Sequence, residues 1–430
     1  MVSHRLRRSG SPHCVQRTRE LVRLISFSRY TELFRVPGLR ATLAASIIGR
    51  LPIGIATLAI LLFLQQRTRS FALAGAAAAL YVLGLATVAP FLGRLIDRFG
   101  PRPVLLAGAV VYPCMLVALV TIALMEGGHG WVAFAALVAG ASFPPITACM
   151  RALYPRVVPD VGLLQTAYSA DAALVELVFI LGPALVALFV AAGYAHGAVL
   201  FAAVCAGAGN IVFLRSPAVR NWLIQPPTGG RSPLGPLRSL PLLAVYAANF
   251  LYAFAFGLYE LAVTAFAAQR GVPAAAGVIL ALASVGSAMG VIVYGGRDWK
   301  WSVTGQFLAN LALMAAGLLV IAPVTNLYLF ALLNVIACAT MAPAIASQSL
   351  LVSRLAARDM LAEAFTWSAT CLLAGISGGI AAGGLLAEYV APSWILVSAA
   401  VSTLLAVAVV WIGVREGQDD PRHSSPVTRH

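Results

Sequence analysis

The sequence has few charged residues. Asp, Glu, Lys and Arg make up only 10% of its 430 residues, whereas 60% are hydrophobic, and the mean hydropathy is +0.90. Soluble domains carry about 25% charged residues, so this composition excludes a water-soluble fold. Lysine occurs once, as Lys300, and no glycine-rich loop ends in Lys followed by Ser or Thr. The chain therefore lacks the phosphate-binding loop through which many ATPases hold their nucleotide.

Cysteine, histidine and acidic residues are also few. The six Cys stand singly, and the six His lie in the tails or in turns between apolar runs. This pattern predicts no disulfide framework, no metal site and no cofactor. Against 29 basic residues there are 15 acidic ones, which gives a net charge of +14. Because the basic residues are spread between apolar stretches, we expect no nucleic-acid partner.

The sequence instead contains many long apolar runs. A bilayer core about 30 Å thick requires roughly 20 apolar residues per helix, and twelve runs meet that requirement. The predicted spans are 41–64, 71–92, 103–125, 131–151, 163–190, 196–214, 240–264, 273–295, 302–323, 326–350, 364–386 and 391–413. With the N-terminus inside, 25 of the 29 basic residues fall on the cytoplasmic side, as short cytoplasmic loops require. We therefore expect a monomeric multi-pass protein of the inner (cytoplasmic) cell membrane, with both termini in the cytoplasm.

The chain divides into two halves. Residues 215–239 form the longest polar stretch of the interior and are rich in Pro, Gly and Arg, which is typical of a linker. The predicted segments are a basic cytoplasmic N-terminal segment 1–40, a six-helix bundle 41–214, the linker 215–239, a second bundle 240–414 and a cytoplasmic tail 415–430. Pro145 and Arg156 recur 198 residues later as Pro343 and Arg354. The predicted fold is an all-α polytopic membrane protein with twelve transmembrane helices in two pseudo-symmetric six-helix bundles.

Between the second and third runs lies the sequence GRLIDRFGPRPVL, residues 93–105. It resembles the signature loop of the major facilitator superfamily, in which a Gly, a Leu, an Asp-Arg pair and a second Gly precede a basic residue. The matching residues are Gly93, Leu95, Asp97, Arg98, Gly100 and Arg102. Pro101 departs from the pattern, since the family often has a further basic residue there. Gly100 permits a tight turn, and Asp97 can accept hydrogen bonds from an arginine or from a helix N-terminus.

The resemblance implies a secondary transporter that works by alternating access, binds a small-molecule substrate and is not an enzyme. It also implies that the loop holds the cytoplasmic side shut in the outward-facing state; a charged turn without that role is the alternative. Gly182-Pro183 resembles the core of the antiporter motif of the family, which is associated with export, but Pro in a span is also an ordinary kink. Many members carry an Arg within the fourth span. In this sequence we expect Arg151 at the cytoplasmic end of that span instead.

Four ionisable residues stand out in the interior of the predicted spans: Arg50, Asp171, Glu176 and Glu260. A charge near the bilayer centre costs a few kcal/mol, so each is a candidate for substrate binding or proton coupling. Arg50 and Asp171 lie at matching depths, and we expect them to pair; the pair is either structural or part of the transport site. Glu176 is about 140° around the helix from Asp171, so the two acids face different neighbours. Glu260 either couples protons or reaches water at the outer interface.

Further candidates for the substrate site are amide and aromatic side chains. Asn249 and Tyr252 share a helical stripe with Glu260, and Asn334 and Gln348 lie on a polar face of the tenth span. At helical spacing such stripes also arise from ordinary packing. We expect proton-coupled export of a small amphipathic molecule or drug. Uptake or export of a specific metabolite by the same fold is one alternative, and a membrane receptor or assembly factor without transport activity is another.

Overall fold

The computed structural model of the protein describes residues 27–158, 160–224, 235–272 and 275–418. Within these ranges the chain forms helices joined by short turns, and no strand occurs. Twelve helical segments are long and apolar enough to cross a membrane, as the hydropathy predicts. We number them as spans 1 to 12.

The first six spans form the N-terminal half. Their helices are Leu39–Thr68, Phe71–Phe99, Pro101–Leu124, the pair His129–Ala141 and Ile146–Val157 in span 4, Val161–Ala191 and Ala195–Arg215. A short helix, Phe27–Leu33, precedes span 1, and another, Pro217–Arg220, follows span 6. We call the end of the bundle that carries Gly100 the inner end, because the arginine distribution predicts that it faces the cytoplasm.

The last six spans form the C-terminal half. Their helices are Leu240–Gln269, Ala275–Gly295, Val303–Ile321, the pair Leu327–Ala337 and Met341–Leu355 in span 10, Leu361–Ala387 and Pro392–Gln418. Two short 3₁₀ helices, Gly235–Arg238 and Arg358–Met360, precede spans 7 and 11. The two halves contact each other through spans 2 and 11 and through span 5, which packs against spans 8 and 10.

Spans 4 and 10 are both interrupted near the middle of the membrane. Span 4 breaks between Ala141 and Ile146, where the consecutive Pro144 and Pro145 lack the N–H groups that would continue the helix. Span 10 breaks between Ala337 and Met341. The breaks fall at equivalent places in the two halves, which agrees with the internal repeat. Interrupted helices of this kind expose backbone groups that transporters use at their binding sites.

The helices extend further at the inner end than the apolar runs suggest. Span 2 continues to Phe99, so Gly93 and Asp97 lie in its last turns, and the predicted loop shrinks to a tight turn at Gly100, whose φ is 80°. Span 4 continues to Val157. This extension places Arg151 inside a helix and not at its end, which corrects the expectation from the sequence.

Close helix packing depends on small residues at crossing points. Gly140 of span 4 lies directly against the backbone carbonyl of Tyr81 in span 2, and a Cβ at residue 140 would overlap that oxygen. Without a hydrophobic driving force between helices in lipid, such close backbone approach is a main source of helix association.

Candidate functional site

A buried ion cluster joins spans 1, 4 and 5. Arg50 Nη2 donates to Asp171 Oδ1 at 2.7 Å, and Arg151 Nε donates to Asp171 Oδ2 at 2.8 Å. Tyr154 Oη adds a third hydrogen bond, to Asp171 Oδ1, at 3.1 Å. The side chains of Arg50 and Asp171 are fully buried. The predicted Arg50–Asp171 pair is confirmed, and the sequence missed its third member, Arg151.

The cluster carries more positive charge than negative. Asp171 is the shared partner of two guanidinium groups, so the sum of formal charges is +1. Arg50 Nε and Nη1 are buried and make no hydrogen bond. A buried ion pair is stabilising only when its remaining donors are also satisfied. In this cluster the two Arg50 donors remain unsatisfied. The cluster lies about 15 to 17 Å from the inner ends of spans 1 and 5, counted at 1.5 Å per residue.

Glu176 faces the other half of the molecule. Ser287 Oγ of span 8 donates to Glu176 Oε1 at 2.7 Å, which confirms that Asp171 and Glu176 have different neighbours. The same Ser287 Oγ accepts the backbone N–H of Ala342 at 3.0 Å. Ala342 lies in the first turn of the inner helix of span 10. Ser287 thus links the carboxylate to the first turn of this helix.

Asn249 and Gln348 meet at a shared serine in the C-terminal half. Asn249 Nδ2 donates to the carbonyl of Ser368 at 2.6 Å and to its Oγ at 3.0 Å, and Gln348 Nε2 donates to the same Oγ at 2.6 Å. Spans 7, 10 and 11 supply these three residues. Tyr252 lies one turn beyond Asn249, and its hydroxyl is buried without a partner. We call Asn249, Gln348, Ser368 and Tyr252 the polar cluster.

Two candidates from the sequence make their contacts elsewhere. Asn334 accepts a hydrogen bond from Tyr259 Oη at 2.9 Å and donates to the carbonyl of Ile279 at 3.0 Å. It therefore ties spans 7, 8 and 10 together around the outer helix of span 10. Glu260 is partly exposed and forms no ion pair among the described residues. The roles of both residues stay predictions.

The family motif binds the first turn of span 11. Asp97 Oδ1 accepts the backbone N–H of Ala362 at 3.1 Å, and Oδ2 accepts that of Glu363 at 2.8 Å. The carboxylate thereby caps a helix of the other half. Arg94 donates to Glu363 Oε1 at 2.6 Å, and the absence of a side chain at Gly93 lets span 2 approach this turn.

The remaining motif residues lie away from that contact. Leu95 is exposed and lines an apolar groove with Phe99 and Pro103. Arg98 and Arg102 are also exposed. Of the matched motif, Gly93 and Asp97 therefore contact the other half, together with Arg94, which the sequence match did not include.

Spans 5 and 8 close the other side of the inner end. Gln165 Nε2 donates to the carbonyl of Tyr294 at 3.1 Å, and Thr166 Oγ1 donates to that of Gly295 at 2.8 Å. Together with the Asp97 contacts, these bonds join the two halves at the inner end. The inner end of the bundle is therefore closed.

The model of the Major Facilitator Superfamily matches residues 42–301. The chain belongs to this superfamily. A relative from Sinorhizobium fredii (strain NBRC 101917 / NGR234), the uncharacterized MFS-type transporter y4rN, is 30% identical over 185 residues. The match covers 42% of this chain and 44% of the relative, so it spans less than half the length of that protein.

Solved structures share the fold over most of the chain. A bacterial homologue of the iron transporter ferroportin in its outward-facing state has a TM-score of 0.73 at 14% identity, with 87% of this chain and 99% of the other covered. The proton:xylose symporter XylE has a TM-score of 0.69 at 13% identity, with 89% and 96% covered. The human organic anion transporter MFSD10 has a TM-score of 0.67 at 17% identity, with 86% and 99% covered. At these identities the likeness shows the fold alone.

Proposed function

We propose that the protein exports a small amphipathic molecule in exchange for protons, by alternating access, and that Glu176 carries the proton. The observation behind this proposal is the position of Glu176. It is buried at the contact between the halves, its partners are the hydroxyls of Ser287 and Ser284, and no cation pairs with it among the described residues. A buried carboxylate without a counter-charge costs much less when neutral than when ionised, so such a group readily holds a proton.

Alternating access gives the proton its direction. Spans 5 and 8 meet around Glu176 and, closer to the inner end, through Gln165 and Thr166. Rocking of the halves would separate these spans at the inner end and expose Glu176 to the cytoplasm, where the proton activity is lower. A proton loaded from outside would be released there, and this release would drive the cycle.

Two features support export of an amphipathic molecule. The Gly182-Pro183 pair resembles the core of the antiporter motif. Gly182 also packs against the backbone of Gly54 in span 1, because a Cβ at residue 182 would lie only 2.5 Å from the Gly54 carbonyl carbon. The polar cluster has an aromatic part, since the Tyr252 ring packs edge-on against the Phe307 ring, 6.3 Å away. Such a lining suits a molecule with both a polar and an apolar part.

The test compares Glu176→Gln with Glu388→Gln, which changes an exposed acid at the outer end of span 11. Intracellular accumulation of fluorescent amphipathic compounds is measured in cells, with and without a protonophore. We expect the wild type and Glu388→Gln to lower accumulation in a protonophore-sensitive manner. Glu176→Gln should lose this effect, while the purified variant in liposomes still exchanges labelled for unlabelled substrate without a gradient.

Three outcomes would contradict the proposal. Gradient-driven export that persists in Glu176→Gln would exclude Glu176 as the proton carrier. Accumulation that rises with the proton gradient would reverse the direction to uptake. If substrate exchange in liposomes were lost together with the gradient effect, Glu176 would be needed for binding and not for coupling.

A further inference from the structure

The guanidinium of Arg151 is held at its Nε atom, while its two Nη atoms make no hydrogen bond among the described residues. The bond from Nε to Asp171 is 2.8 Å long. The side chain is 12% exposed, whereas that of Asp171 is 0% exposed. Arg151 therefore turns its two Nη groups towards accessible space. Two parallel N–H donors of this kind match a carboxylate in a bidentate arrangement.

The charges around Arg151 leave room for an anion. Asp171 is shared between Arg50 and Arg151, so it neutralises only one of them. The nearby acids are occupied elsewhere: Asp97 caps span 11, and Glu176 bonds to Ser287 of span 8. The cluster thus keeps an excess charge of +1 in a medium where charge is costly. One monoanion would balance it.

The opposite half supplies a further donor. The Tyr252 hydroxyl is buried without an acceptor and lies within electrostatic range of Arg151. Buried donors are nearly always satisfied in folded proteins. With Arg50 Nε and Nη1, the Tyr252 hydroxyl makes three buried donor atoms around the cluster that lack an acceptor. A ligand that brings acceptors and negative charge would satisfy both deficits.

We infer that the transported molecule is an organic carboxylate whose acidic group binds the Nη edge of Arg151, with the Tyr252 hydroxyl as a donor from the other half. The inference rests on the proposed transport function and names its substrate class. Because the cation belongs to span 4 and the hydroxyl to span 7, the carboxylate would contact both halves at once. Binding would then depend on how the halves are arranged, as alternating access requires.

The test uses three pyrene probes that differ in the polar group alone: 1-pyrenebutyrate, its methyl ester and 1-pyrenebutylamine. Binding to the purified protein is followed by energy transfer from tryptophan. We expect the acid to bind at least about 30-fold more tightly than the ester or the amine, because loss of a desolvated charge partner typically costs that much or more. Arg151→Gln should remove this preference, and Arg151→Lys should retain part of it, since lysine keeps the charge without the bidentate edge.

Two further variants guard against misfolding as the explanation. Tyr252→Phe removes a hydroxyl that has no partner, so it should weaken binding of the acid several-fold while leaving thermal stability unchanged. Arg215→Gln changes an exposed arginine at the inner end of span 6 and should leave binding unchanged. The inference is overturned if the ester or amine binds as tightly as the acid, or if a folded Arg151→Gln protein keeps the preference for the acid.

The same probes separate this inference from the proposed function. A Glu176→Gln protein should still bind the acid. If the wild type binds the acid but a proton gradient does not move it, the coupling proposal fails and the substrate class stands. If the amine is transported by the gradient in a Glu176-dependent manner, the coupling proposal stands and the carboxylate inference fails.

Discussion

Replacement of Asp171 by Asn should strongly destabilise the protein. The substitution preserves the shape of the side chain but removes the negative charge that two arginines share. Breaking one buried ion pair typically costs about 3–5 kcal/mol. Because two guanidinium groups lose the same partner and Arg50 is fully buried, we expect the upper end of that range. At about 2 °C of melting temperature per kcal/mol for a large chain, the shift would be roughly 10 °C.

The assay measures thermal unfolding of the purified protein in detergent: samples are heated to a series of temperatures, and the folded fraction that remains is quantified by size-exclusion chromatography. Asp298→Asn is the matched control, since Asp298 also pairs with an arginine, Arg29, but is 81% exposed; exposed pairs contribute about 0–1 kcal/mol. Adding Arg50→Met to Asp171→Asn removes one uncompensated cation and should recover a large part of the loss. The reasoning fails if Asp171→Asn melts within about 2 °C of the wild type or if the double variant is no more stable than the single one.

Three glycine substitutions, one of them a control, test the packing. Gly140→Ala should reduce the yield of folded protein, measured by fluorescence-detected chromatography, because its Cβ would overlap the Tyr81 carbonyl; Gly75→Ala, whose Cβ meets nothing within 4 Å, should be neutral or slightly stabilising. Equal yields would show that spans 2 and 4 pack less closely than described. Gly93→Ala places a Cβ 2.8 Å from the Cα of Glu363 and should weaken closure of the inner end. Labelling of a cysteine introduced at that end should then become faster, and an unchanged rate would contradict the role of this contact.

The positions of the spans could be predicted because hydropathy is a property of the linear sequence and needs no knowledge of tertiary contacts. All twelve apolar runs coincide with a membrane-length segment. The Arg50–Asp171 pair was predictable for the same reason, since depth in the membrane follows from residue counts. Helix ends were not, because amphipathic turns such as 152–157 continue span 4 beyond its apolar run. That error hid Arg151 from the predicted cluster.

The contacts between the halves could not be predicted from the sequence. Which face of span 5 meets span 8 depends on how two bundles dock, and no residue pattern states it. Ser287 and Ser368 join the candidate residues Glu176, Asn249 and Gln348 to their surroundings, yet a single serine in an apolar helix has no distinguishing signal. The breaks in spans 4 and 10 were only partly visible, since the Pro144-Pro145 pair marks the first and no proline lies within the second.

The distribution of ion pairs suits a molecule whose halves must separate. The buried cluster of Arg50, Arg151 and Asp171 belongs to spans 1, 4 and 5 of one half, so rocking would move it as a unit and would never strand a buried charge. Arg94 and Glu363 pair across the halves at the inner end, where the arginine side chain is 42% exposed and water can replace its partner.

The other contacts that close the inner end are also inexpensive to break. Asp97 binds two backbone amides, and Gln165 and Thr166 bind backbone carbonyls. Each such bond contributes on the order of 1 kcal/mol net, and somewhat more for those to the charged carboxylate. Breaking these four bonds would therefore cost a few kcal/mol, which is within what the binding of a carboxylate at Arg151 and Tyr252 or the protonation of Glu176 could supply. The chain thus keeps its expensive electrostatic interactions within one half and its weak ones between the halves.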